Sequence, residues 1–74
     1  MGLAIKPRVL IQFLEANGWL FVRAKGTSHH IYGKDGQTVP VPIHKDKDMP
    51  IGTLLSVLVL TKTTKKELEE WLGR

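Results

Sequence analysis

The sequence predicts an α+β domain in which a three-stranded antiparallel sheet carries helices on one face and leaves the other wet. Three observations predict it. Apolar residues recur at helical spacing near both ends of the chain but not in its middle. Between them, runs rich in aromatic and β-branched residues are cut by the turn sequences Lys25-Gly26-Thr27 and Asp35-Gly36. Finally, 74 residues suffice for one small core, burying only about 60% of the surface of the unfolded chain, so residues 1–74 are read as a single domain.

Each element follows from local chemistry. Pro7 suits the first turn of a helix, where its missing N–H costs nothing. Val9, Leu10, Phe13 and Leu14 then form one apolar stripe, and Asn17-Gly18 supplies a left-handed stop, so the first helix is predicted over 7–16. Strands are predicted over 19–23, 28–32 and 38–43. The third alternates Val39, Val41 and Ile43 with polar or proline positions; because Pro40 and Pro42 cannot donate to a ladder, it belongs at a sheet edge. A charged loop is predicted over 44–49, and Pro50 opens a second helix carrying Ile51, Leu54, Leu55 and Leu58. Thr64-Lys65-Lys66-Glu67 has the capping-box pattern and starts a short last helix with Leu68, Trp71 and Leu72 on one side. The predicted order is α-β-β-β-α-α.

Composition narrows the function. Eleven Lys and Arg against seven Asp and Glu leave a net charge of +4. Up to Lys47 there are seven basic residues against Glu15, Asp35 and Asp46, which is already +4, whereas Lys65, Lys66 and Arg74 cancel Glu67, Glu69 and Glu70. A positive field on the N-terminal two-thirds favours a polyanion, nucleic acid before a membrane surface. There are no cysteines, which excludes disulfides and thiolate zinc sites. A domain this small has no room for an enclosed cofactor pocket, and no cofactor is expected. Its longest apolar run, 57–60, is far short of the roughly 20 residues that span a bilayer. Lys6-Pro7-Arg8 interrupts any signal-peptide core, so a soluble cytoplasmic protein is expected.

The chemistry-bearing residues are three histidines, His29, His30 and His44. Strand alternation puts His29 with Ile31, and His30 with Ser28 and Tyr32. If Ile31 faces the helices, His29 sits at the rim of the core, where partial burial fixes its ring. Cleaving RNA without metal requires a base for the 2′-hydroxyl proton, an acid for the leaving oxygen and cations for the phosphate. One positioned imidazole with Arg23 and Lys25 nearby meets the minimum, because the substrate brings its own nucleophile. Against this stands the reading of His29 and His30 as ordinary, partly buried strand residues.

The run Gly26-Thr27-Ser28-His29-His30-Ile31-Tyr32 resembles the Gly-Ser-His-His-aromatic signature of HicA toxins, small mRNA interferases of type II toxin–antitoxin systems. Asn17-Gly18-Trp19 followed by Arg23, then 39–44, Gly52-Thr53-Leu54 and 67–72, are similar to other parts of that family in order and spacing. The resemblance implies a fold like the double-stranded-RNA-binding domain, metal-independent endoribonuclease activity on mRNA, and neutralisation by a HicB-like antitoxin. It implies that His29 is the catalytic histidine, with His30 ranked second. Two departures stand out. Thr27 lengthens the turn by one residue, and Leu55 and Val59 occupy positions where HicA-like chains usually carry basic or polar residues, with Thr61-Lys62-Thr63 in place of an Ala-Gly-Leu-like end.

The remaining candidates are weighed on their surroundings. Arg23, Lys25, Lys45 and Lys47 are candidates to hold RNA phosphates, against a plain solubilising role. His44 is a possible acid partner for His29. His44, Asp46 and Asp48 resemble a loose metal site, but the interleaved Lys45 and Lys47 repel a cation, so no metal is expected. Trp19, Phe21 and Tyr32 are either base-stacking platforms or core, and Trp71 is core or a partner contact. The leading expectation is a HicA-like endoribonuclease. The alternatives are a non-catalytic RNA-binding module and an interaction protein that uses the apolar second helix.

Overall fold

A computed structural model describes residues 4–44 and 47–73. Its elements are α1 (Pro7–Ala16), β1 (Leu20–Lys25), β2 (His29–Lys34), β3 (Gln37–Pro42), α2 (Ile51–Leu60) and α3 (Lys65–Leu72). The strands form one antiparallel sheet in the order β1-β2-β3, which puts β3 on the predicted edge. The fold is therefore the α+β arrangement expected. The strands run further than propensity indicates because the turns permit it. Asp35 and Gly36 both have positive φ, 52° and 79°, as a two-residue type I′ turn needs. Pairing consequently continues right to the turn, with Lys34 opposite Gln37.

That turn fixes which side chains enter the core. Counting back from it, Tyr32 pairs with Val39 and His30 with Val41, while Ile31 pairs with Pro40 and His29 with Pro42. Directly opposed residues share a face. Val39 and Val41 are fully buried beneath α1 and α2, so Tyr32 and His30 lie on that face and Ile31 and His29 on the other. This corrects the expectation that Ile31 faces the helices. The polar end of Tyr32 does not outweigh the cross-strand register, and Tyr32 is a core residue. Burial, and then the Glu15 carboxylate, raise its phenol above the ordinary 10.0.

Around the valines, α1 contributes Leu10, Phe13 and Leu14, α2 contributes Leu54, Val57 and Leu58, and α3 contributes Leu68. Trp19 is buried with them, while Trp71 meets the Phe13 ring edge-on at 5.5 Å and stays partly exposed. At the start of α3 the Thr64 hydroxyl accepts from the Glu67 N–H, the predicted cap, and the Glu67 carboxylate reaches back to the same hydroxyl. The helices pack on β3, with Tyr32 of β2 joining the core beside it, and every residue of β1 is exposed.

Candidate active site

A single irregularity in β1 assembles the site. Phe21 pairs with Tyr32 and Arg23 with Ile31, so two residues of β1, Val22 and Arg23, answer one of β2. Strict alternation from Phe21 places Arg23 and Lys25 on the helix side. The bulge reverses that, setting Arg23 opposite Ile31 and Lys25 opposite His29 on the open face. Arg23, Lys25 and His29, with Gly26, Ile31, Thr38 and Pro40, line a shallow open groove there. Ile31 forms its floor and is only 8% exposed. Packing by its cross-strand neighbours, not the helices, accounts for that burial.

His29 is exposed, not at the rim of the core as expected. Its ring is held from the side by the preceding residue: Ser28 Oγ lies 3.2 Å from His29 Nδ1. Ser28 itself is pinned through its backbone, its carbonyl accepting from the Ile43 N–H at 2.6 Å, after a turn in which Gly26 takes φ +66°. Nδ1 therefore has a protein partner. Among the described residues no other hydrogen bond reaches the ring, which leaves Nε2 open to a ligand.

The other sequence candidates are dispersed. His30 lies on the opposite face, half-buried and edge-on to the Phe21 ring at 5.4 Å, because neighbours in a strand point opposite ways. His44 and Lys47 are exposed beyond β3, joined by a backbone bond, and neither lines the groove. Lys45 and Asp46 lie outside the described residues. Asp48 is ion-paired with Lys6 at 3.2 Å. Trp19 and Tyr32 belong to the core, and Phe21 packs against the Tyr32 ring on the helix side, so base stacking in the groove falls to none of the three. Sequence reasoning missed Ser28, Thr38 and Pro40. Counting pairs outward from Asp35-Gly36 finds the last two.

The family model described as the HicA toxin of bacterial toxin–antitoxin systems matches residues 7–63, which takes in every element from α1 to α2. The chain belongs to the HicA toxin family. It is thus a toxin whose class presupposes an antitoxin partner. The match ends before α3, so that helix and its contact with Phe13 lie beyond the matched region. No curated protein matches the chain. Among the described residues of this HicA-type chain, no helix is long and apolar enough to cross a membrane.

Proposed function

We propose that this HicA-type toxin is a metal-independent endoribonuclease that cleaves mRNA in the cytoplasm, with His29 as general acid and base, until a HicB-like antitoxin neutralises it. The observation that carries the reading is the placement of one imidazole and two permanent cations on the same open face, Lys25 directly across from His29 and Arg23 one row on. An open face suits a polymer substrate, which no enclosed pocket of a 74-residue chain would admit.

The chemistry follows from the groups present. With Nδ1–H donating to Ser28 Oγ, Nε2 carries a lone pair and takes the 2′-hydroxyl proton. The 2′-oxygen attacks the adjacent phosphorus, the bond from phosphorus to the 5′-oxygen breaks, and the imidazolium formed returns the proton to that departing oxygen. The products are a 2′,3′-cyclic phosphate and a 5′-hydroxyl. Arg23 and Lys25 neutralise the charge that builds on the phosphate oxygens. His30, on the far side of the sheet, has no part in this, and His44 stands outside the groove.

The test is cleavage of RNA in EDTA by the purified protein and by His29→Ala. Cleavage by the first and none by the second, with unchanged circular dichroism, is the expected result. Undiminished cleavage by the variant ends the assignment. A second reading, a non-catalytic RNA-binding module, draws on the groove's single imidazole, which has no carboxylate beside it among the described residues. It predicts salt-sensitive binding with the RNA left intact.

A further inference from the structure

We propose that Gly33 is a positioning residue of the groove: the side chain it lacks leaves the room that Val22 occupies, and this selects the register that turns Arg23 and Lys25 to the open face. The inference rests on the reading of that face as an RNA groove and names what assembles it. β1 and β2 are out of step by one residue, since Phe21 lies opposite Tyr32 but Lys25 lies opposite His29. The Phe21 end is fixed, its ring edge-on to both Tyr32 and His30. The other end has two ways to close. As found, 26–28 form a three-residue turn and Val22 is the surplus residue. A two-residue turn of Gly26-Thr27 also closes it, because Gly26, at φ +66°, is the residue a type II′ turn requires first. That register has no surplus. It sets Val22 and Ala24 opposite Ile31 and His29, and sends Arg23 and Lys25 to the helix side.

Space above residue 33 separates the two registers. Gly33 shares the open face with Ile31 and lies between Leu20 and Thr38 in the sheet. A Cβ there would stand 2.9 Å from Val22 Cγ2, closer than such atoms approach in proteins. Its other neighbours, the Gln37 carbonyl oxygen at 3.5 Å and Thr38 Cγ2 at 3.8 Å, are ordinary contacts, so Val22 alone is what a side chain at 33 would displace. The valine has little freedom to swing aside, because a β-branched side chain is stiff at χ1. Nor is glycine needed for its backbone: Gly33 has no positive φ, unlike Gly18, Gly26, Gly36 and Gly73. A glycine inside a strand weakens it and marks a bulge or a close approach. Here it marks both, one residue of β1 leaning over the gap left in β2.

Gly33→Ala in the whole chain tests this, alone and combined with Val22→Ala, which removes the methyl group that the new Cβ meets. Proton NMR without RNA reads the register. In Gly33→Ala the Overhauser contacts of Arg23 with Ile31 and of Lys25 with His29 are expected to weaken, and contacts of Val22 with Ile31 and Ala24 with His29 to replace them. RNA reads the consequence: kcat/KM is expected to fall at least about tenfold, and the salt dependence of binding to become shallower by at least about 0.7 in logarithmic slope, one phosphate contact. The double variant is expected to recover the original contacts and slope, which a general loss of stability would not allow, since it truncates a second side chain. A Gly33→Ala chain that keeps the original contacts and slope overturns the proposal, as does a double variant no better than the single one. The register contacts need no RNA, so they decide the role of Gly33 whether or not the chain is a ribonuclease.

Discussion

Ser28→Ala isolates the step that prepares His29. The substitution removes one hydroxyl, 3.2 Å from Nδ1, and leaves the backbone bond from the Ile43 N–H to the Ser28 carbonyl untouched, so strand pairing and the position of residue 29 persist. Free histidine favours the neutral tautomer with its proton on Nε2, which cannot act as a base there. On the proposed mechanism the serine oxygen accepts from Nδ1–H and so favours the tautomer with Nε2 bare. A neutral hydrogen bond contributes about 0.5–1.5 kcal/mol, and this one is exposed, so the lower half of that range applies. At 1.36 kcal/mol per tenfold, kcat is expected to fall by roughly two- to fivefold. KM is expected to hold, because Ser28 does not line the groove. Nitrogen-15 NMR of the neutral ring gives a second readout without substrate: Ser28→Ala shifts the population toward Nε2–H, and Ser28→Thr restores both tautomer and rate. An unchanged tautomer ratio with unchanged kcat refutes the positioning role, as does a loss confined to KM. The NMR result stands even if the chain proves not to cleave RNA, so the two claims fail separately.

Three further outcomes are expected. Arg23→Ala with Lys25→Ala removes the two proposed phosphate contacts, of about 1 kcal/mol each, and is expected to lower kcat/KM by roughly 30-fold and to make the salt dependence of RNA binding shallower by about 1.4 in logarithmic slope; Lys65→Ala with Lys66→Ala on α3 changes neither, and a filter-binding titration against salt decides it. Lys62 ends α2 with φ +58°, where glycine carries no Cβ penalty, so Lys62→Gly stabilises the fold by about 0.5–1 kcal/mol, read from urea denaturation. Tyr32 has its phenol raised above 10.0 in the folded state, so the unfolded chain ionises first; its contribution is fully present below pH 10 and is lost as the pH climbs through the raised value, and Tyr32→Phe lacks that component of alkaline unfolding.

Much of the fold was legible in the sequence because the signals are local. Pro7 and Asn17-Gly18 bracket α1 at the residues predicted, and Thr64 caps α3 as its spacing implies. The faces of β2 were not read correctly, since hydrophobicity ranks Ile31 above Tyr32 for a place in the core. Yet a two-residue turn at Asp35-Gly36 makes every pair sum to 71, and burying Val39 and Val41 then commits Tyr32 and His30. The bulge at Val22 lies beyond this arithmetic. Nothing in Leu20-Phe21-Val22-Arg23 announces an extra residue, and the positions of Arg23 and Lys25 depend on it. His29 was expected at the rim of the core, a place the register does not allow.

The same register explains how one small chain separates two kinds of surface. The pairing that turns Tyr32 inward turns His29 outward, so the core and the groove are opposite consequences of a single turn. The helices cover the sheet on the inward side only, which leaves the basic groove open while α2 presents its uncharged face away from the core.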